Sequence, residues 1–183
     1  RIVTSIPRPR STRPSPKASL DGPTGEILSF DLIECTTSDT TGITDAIYEE
    51  YRLQTLEIPG ARPHPTKLVQ SAAMASVTPP KPSYRPTLPA DIHSRLSAAQ
   101  LETVIFAGEA HSEHLAGHWR VDTTYDQVSA APDDAPDAIR FRRGFMLGDG
   151  TGAGKGRQSA GIILDNWLQG RRKAVWISKS DKL

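Results

Sequence analysis

Glycines at positions 148, 150, 152, 154 and 156 alternate with small or polar residues, and Lys155 stands at the far end of the run. The segment reads Gly148-Asp149-Gly150-Thr151-Gly152-Ala153-Gly154-Lys155. A backbone so rich in glycine can curl tightly and aim several N–H groups at one point. Before it, Phe145-Met146-Leu147 is an apolar, strand-like run; after it, a long helical pattern begins near Gly156. Strand, glycine loop and helix N-terminus in that order form a cradle for phosphate, with the lysine as a mobile positive charge. The plainer alternative is a glycine-rich strand-to-helix turn with an incidental lysine. The order of the three elements favours the phosphate loop.

The spelling departs from the usual pattern at two positions. A glycine ordinarily stands six residues before the lysine, where this chain has Asp149, and a Ser or Thr follows the lysine, where this chain has Gly156. That hydroxyl normally binds magnesium, so a metal here must be held by water or by an acidic group elsewhere. What remains, Gly150-x-Gly152-x-Gly154-Lys155, is closer to the loops of superfamily-2 helicases than to those of kinases or small GTPases.

The flanks extend the pattern. Ala160, Ile162, Ile163, Leu164, Trp167 and Leu168 recur at helical spacing, Gly170 is placed to end the helix, and Arg171, Arg172 and Lys173 complement its negative end. Ala174-Val175-Trp176-Ile177-Ser178 then reads as a second buried strand. Strand, loop, helix and strand make one right-handed βαβ unit, which requires a parallel sheet covered by helices. The fold class expected is α/β: an incomplete, RecA-like P-loop NTPase domain over residues 95–183.

Upstream, composition changes. Thirteen of the fifteen prolines stand before residue 90, and the formal net charge of +1 selects no class of partner. Residues 1 to about 25 are rich in Pro, Ser and Arg and read as a disordered tail or linker, with a nucleic-acid arm or proline-motif ligand as the functional alternative. Within residues 1–58, Ile27–Ile33 is a candidate strand and Ile43–Leu53 a candidate amphipathic helix. Residues 59–94 read as a proline-rich extended segment that wraps a neighbour, interrupted by a short helix within Leu68–Val77. The lone cysteine, Cys35, excludes an internal disulfide and fits a reducing compartment. No membrane span or signal peptide is legible, and a first residue that is Arg1 rather than Met suggests a fragment.

The next ordered element runs from Ser97 to about Trp119, with Ser97 as N-cap and Gln100 at the reciprocal capping position. Leu101, Val104, Ile105 and Ala107 form its apolar face. His111, His114 and His118 follow at helical spacing, but the zinc-protease pattern needs Glu directly after the first histidine of a pair, and Leu115 follows His114. Exposed helical histidines are the better reading. Asp133, Asp134 and Asp137 lie among prolines and alanines and read as a loop.

Several separated motifs together resemble the strawberry-notch family, a branch of superfamily-2 helicase-like ATPases. They include Pro63-His64-Pro65-Thr66, Ser71 to Val77, Arg95 to Glu102, Arg142 to Gly150, Lys155-Gly156-Arg157, Gly161 to Leu168 and Lys173 to Ser178. The resemblance covers roughly residues 45–183, and a glycine after the loop lysine is a habit of that family.

The resemblance implies ATP with Mg2+ as the ligand. Gln100 matches the glutamine that reads the adenine edge; Gly150, Thr151, Gly152, Ala153 and Gly154 would wrap the phosphates through backbone N–H groups. Lys155 would neutralise the β and γ oxygens as the catalytic residue, with Gly156 and Arg157 in the first helical turn. Ser178 and Lys179 stand where related helicases begin to contact the nucleic-acid backbone. The implied partner is nucleic acid, DNA before RNA, reached through a longer parent protein. A fused DNA methyltransferase, as in bacterial and phage relatives, and a cytoplasmic location are further implications. The acidic pair and second-lobe arginines needed for turnover are expected outside this chain, leaving it inactive alone. A nucleotide-switched transcription-regulatory or scaffold protein remains the alternative; a small-molecule kinase is disfavoured by Gly156.

Overall fold

The computed structural model describes residues 24–34 and 47–178. In chain order the elements are β1 (Glu26–Ile27), β2 (Asp31–Leu32), β3 (Tyr48–Glu50), β4 (Leu56–Glu57), β5 (Val69–Ser71), α1 (Ala72–Ala75), β6 (Thr87–Leu88) and α2 (Ala90–His93). They are followed by α3 (Ala98–Ser112), β7 (His118–Val121), β8 (Val128–Ala131) and α4 (Lys155–Leu168).

Helix α3 is the organising element. Ser97 sits in extended backbone, its Oγ accepts the Gln100 N–H at 3.4 Å, and Gln100 Oε1 accepts the Ser97 N–H at 3.1 Å, completing a capping box. Leu101, Val104 and Ile105 are almost fully buried, as their spacing requires. Around them close Leu28, Phe30, Leu56, Ile58, Leu88 and Leu96, forming one core cluster. Four of these, Leu28, Phe30, Leu56 and Ile58, come from the segment before residue 59. Each large aliphatic side chain buried in this way contributes about 1.5–3 kcal/mol. Residues 1–23 and 35–46, including Cys35 and the start of the expected helix over Ile43–Leu53, lie outside the described residues. The described part of that helix is not helical: Tyr48–Glu50 pairs antiparallel with Val69–Ser71.

The sheets depart from expectation. Among the described residues every strand pair is two-stranded and antiparallel: β1 with β6, β2 with β4, β3 with β5, and β7 with β8. A parallel contact occurs only as the isolated bridge between Arg62 and Ser97. The α/β content stands, but the expected parallel sheet does not form among the described residues. Neither Phe145–Leu147 nor Ala174–Ser178 forms a strand. A parallel strand draws its ladder from neighbours, and neither run joins any of the sheets among the described residues. Met146, Val175 and Ile177 are correspondingly exposed, at 91%, 87% and 90%.

Helix α3 also ends earlier than Trp119. After Ser112 the chain turns extended and pairs with its own return: Leu115 N–H donates to the Phe141 carbonyl at 2.8 Å and Arg143 N–H to the Glu113 carbonyl at 3.1 Å. Trp119 therefore lies on β7, where its N–H and carbonyl both bond Ile139. Two of the three aspartates read as a loop fasten this hairpin. Asp133 accepts from His118 at 2.6 Å, and Asp137 holds Arg120 through two contacts at 2.5 and 2.8 Å. His111 instead meets Asn166 on α4.

Helix α4 packs against α3 with an unexpected face. Its buried residues are Gln158, Gly161 and Asp165, while Ile162 and Leu164 are only partly covered and Ile163 is exposed. A Cβ on Gly161 would stand 2.9 Å from Val104 Cγ2, so the close approach of the two helices depends on the missing side chain. Asp165 accepts from Tyr84 Oη at 2.7 Å, Thr87 N–H at 2.9 Å and Gln169 Nε2 at 3.1 Å, tying β6 to the helix. Burial first, and the adjoining carboxylate of Asp165 second, push the Tyr84 phenol well above its ordinary range. The helix ends as expected: Arg171 N–H reaches the Asn166 carbonyl and Gly170 N–H the Trp167 carbonyl, a Schellman closure with Gly170 at φ +86°.

Candidate phosphate-binding site

The glycine loop delivers directly into α4, whose first residue is Lys155. Gly154, the N-cap, is left-handed at φ 86° and ψ 38°, and Gly152 has φ +94°. The left-handed turn at Gly154 lets the chain enter the helix while its carbonyl accepts from Arg157 at 2.8 Å and Gln158 at 3.1 Å. The N–H groups of Lys155 and Gly156 find no acceptor among the described residues, as expected for a first helical turn. They and the positive end of the helix face an exposed loop.

Lys155 is folded back. Its Nζ donates to the carbonyls of Asp149, at 2.8 Å, and Gly150, at 3.0 Å, so the ammonium spans the loop it closes. Gly150, Thr151, Gly152, Gly156 and Arg157 are exposed; Ala153 and Gly154 are partly covered by α3.

The cover is Gln100. Nearly fully buried, it accepts the Ser97 N–H through Oε1 and donates through Nε2 to the Ala153 carbonyl at 3.0 Å. A Cβ at Gly154 would lie 2.3 Å from that Nε2, so the glycine is required by conformation and by space. The structure thus brings Gln100 onto the loop, with both ends of its amide engaged.

A second set of residues behind the loop carried no notice in the sequence. Gln158 Nε2 donates to Asp149 Oδ2 at 2.7 Å and to Thr103 Oγ1 at 3.1 Å. Glu102, buried beside them, accepts the Tyr51 hydroxyl. Burial, reinforced by the charge of Asp149, pushes the Glu102 carboxyl up to about 8, so it is mostly protonated at neutral pH. Asp149, the departure from the usual loop spelling, is therefore an anchor: it binds the loop to α4, and its charge adds to the burial that keeps Glu102 on α3 protonated. The signal was present in Gln158, Gly161 and Asp165, which recur at helical spacing as one stripe.

This arrangement suits a polyphosphate chemically. Free N–H groups, a helix N-terminus and a mobile ammonium converge on one exposed loop, while position 156 supplies no hydroxyl for a metal. Mg2+ would enter on the phosphate oxygens of the nucleotide, where it neutralises charge.

The sequence comparisons agree with this geometry. Residues 63–183 match the family described as P-loop containing NTP hydrolase pore-1. The chain belongs to that family. Within it the chain is strawberry-notch-like. It is 42% identical over 122 residues to protein strawberry notch of Drosophila melanogaster, covering 66% of this chain and 6% of that protein. To protein strawberry notch homolog 2 of Mus musculus it is 38% identical over 120 residues, covering 66% and 7%. To protein FORGETTER 1 of Arabidopsis thaliana it is 36% identical over 142 residues, covering 76% and 9%. No solved structure matches significantly. This strawberry-notch-like chain therefore spans less than a tenth of these relatives, and the region it carries is the helicase-like, ATP-binding one. No helix among the described residues is long and apolar enough to cross a membrane.

Proposed function

We propose that this chain binds the triphosphate of ATP, with its Mg2+, on the loop from Gly150 to Gly156. The observation that carries the reading is the position of Lys155, which closes the loop at a helix N-terminus by bonding two loop carbonyls. An entering β,γ-phosphate offers the ammonium stronger, charge-assisted partners than those carbonyls, so the lysine turns outward onto it. Thr151 and Arg157, exposed on either side, are placed to reach the outer oxygens. Gln100 contributes by holding Ala153 and Gly154 in register. An adenine edge read by Gln100 has to compete with its two existing bonds.

In the longer protein we assign this region to a RecA-like lobe that uses ATP to move on or remodel nucleic acid. Support comes from the family and from a loop spelled as in superfamily-2 helicases. DNA before RNA, a fused methyltransferase and a cytoplasmic location rest on the resemblance alone; the relatives compared above are from animals and a plant. Turnover requires groups that orient water and stabilise the leaving phosphate, and we assign these to other parts of the longer protein. The chain alone should bind ATP weakly and hydrolyse it negligibly.

Calorimetric titration of the 183-residue chain with MgATP tests this. Binding that disappears in Lys155→Ala while circular dichroism stays unchanged supports the assignment. Equal binding by Lys155→Ala defeats it, and hydrolysis abolished by Lys155→Ala would remove the claim of inactivity.

A further inference from the structure

Thr78-Pro79-Pro80-Lys81, in the proline-rich segment, takes no part in the phosphate site. The run is tethered at both ends. Before it, Ser76 closes α1, its N–H donating to the Ala72 carbonyl at 3.2 Å and its Oγ to the Ala73 carbonyl at 2.8 Å. After it, Pro82 is buried, and the N–H groups of Ser83 and Tyr84 donate to Glu109 at 3.0 and 2.6 Å. Between these points Val77, Thr78, Pro80 and Lys81 are exposed, and residues 78–82 belong to no helix or strand. Among the described residues the N–H, carbonyl and hydroxyl of Thr78 bond to nothing. The neighbouring hydroxyls differ: Ser76 is spent on its helix and Ser83 on Glu109.

A residue before proline is held in extended backbone. Two prolines in succession favour the polyproline II form, which loses little entropy when another protein grips it. A protein kinase takes its substrate as such an extended strip, hydroxyl foremost. A proline-directed kinase accepts Ser or Thr only before proline and favours a base three residues on. Lys81 stands there, paired with the exposed Glu34 in a surface contact that is easily given up. The other such step in the chain, Ser15-Pro16, has Ala18 in that place and lies outside the described residues. Val77 and Pro79, on either side of the threonine, line a cleft of about 230 Å³ whose wall carries one cation, Arg52. Gln54 Nε2 donates to the Ala75 carbonyl at 2.9 Å, tying the Arg52 segment to the helix that leads into Thr78. Arg52 itself meets only the exposed Glu50, at 3.6 Å.

We propose that Thr78 is a phosphorylation site for a proline-directed serine/threonine kinase, and that the phosphate it gains pairs with Arg52 at the mouth of the cleft. In the transfer the bond from the γ-phosphorus to the bridging oxygen of ATP breaks as phosphorus bonds Thr78 Oγ1. ADP leaves, and the hydroxyl proton passes to the carboxylate base of the kinase. The ATP is the kinase's substrate, so the site is independent of the glycine loop. A dianion then stands where a neutral hydroxyl was, and it offers the guanidinium a stronger partner than Glu50.

The test is incubation of the full chain with a cyclin-dependent protein kinase and MgATP, read by mass spectrometry of the phosphopeptides. Thr78 should carry phosphate. Lys81→Ala should slow its modification about tenfold, the scale of one charged hydrogen bond, and leave Ser15 unaffected. A wild-type chain unmodified at Thr78, while a reference substrate peptide is phosphorylated in the same mixture, overturns the site. Equal rates at Thr78 in the wild type and Lys81→Ala overturn the role of the lysine. Phosphorus NMR of the modified chain reads the pairing. The phosphate should lose its second proton below the ordinary value of about 6, and Arg52→Ala should restore that value. A phosphate that titrates alike with and without Arg52 overturns the pairing and leaves the site standing.

Discussion

Gln100 Nε2 and the Ala153 carbonyl, 3.0 Å apart, join the start of one helix to the loop that begins the other. The bond links residues 53 positions apart and uses an amide whose oxygen is already committed to the cap of α3. The capping residue and the loop fastener are one side chain, so the cap and the loop should respond together to its loss.

Replacing Gln100 with Ala removes both bonds and leaves the Ser97 N–H and the Ala153 carbonyl without partners. Urea denaturation should show a loss of about 1–3 kcal/mol. Gln100→Glu separates the two roles: it retains an acceptor toward Ser97 but sets carboxylate oxygens against the Ala153 carbonyl. Hydrogen exchange at residues 150–156 should accelerate in both variants; unchanged exchange would show that the loop holds itself.

Gly154→Ala imposes a Cβ on a φ of +86° and drives it against Gln100 Nε2 at 2.3 Å. A loss of about 1–3 kcal/mol is expected from the backbone and the displaced amide. Gly150→Ala, whose Cβ meets nothing within 4 Å, serves as the comparison and should cost less. Equal losses would remove the steric argument.

The raised Glu102 carboxyl makes stability depend on pH. Its ordinary value of 4.5 is shifted to about 8 in the fold, so the folded chain holds this proton more tightly than the unfolded chain. The contribution is full below pH 4.5, falls as pH rises through this window, and is lost above about 8. The loss across the window should be on the order of a few kcal/mol. Glu102→Gln should flatten the profile between these limits, as measured by chemical denaturation at a series of pH values. An unaltered slope would assign the effect to other groups.

Asp165→Ala strips partners from the Tyr84 hydroxyl and the Thr87 N–H at once. With two partly buried donors left unsatisfied, about 2–5 kcal/mol should be lost. Tyr84→Phe, which removes one bond and no backbone partner, should cost only about 1 kcal/mol. A melting temperature lowered equally by both variants would contradict the dominance of the carboxylate.

The contrast between what was legible in the residues and what was not follows from range. The capping box of Ser97 and Gln100 and the closure at Gly170 are local, and both are found as the sequence indicates. The antiparallel pairs are not local: Glu26 meets Leu88, and each strand of that pair is two residues long, too short to leave a periodicity. Helix α4 misled by its composition. Its apolar residues advertise a face, yet Gln158 and Asp165 are buried because each satisfies partners on other segments, and Gly161 because it admits Val104. The runs Phe145–Leu147 and Ala174–Ser178 carry the composition of buried strands, but neither is a strand of any sheet among the described residues. At the site, glycine spacing and the lysine were readable; the roles of Asp149, Glu102 and Tyr51 were not, since each depends on a contact made across the fold.

The β7–β8 excursion leaves α3 and returns to the loop through one gate, closed by the Glu113–Arg143 and Leu115–Phe141 bonds. Everything beyond that gate is mechanically a side branch, with Tyr125 at its tip exposed at 85%. Insertions or deletions near the tip should leave the distance between Gln100 and the glycine loop untouched. The branch is thus a place where chain length can change without moving the glycine loop or the helix it opens.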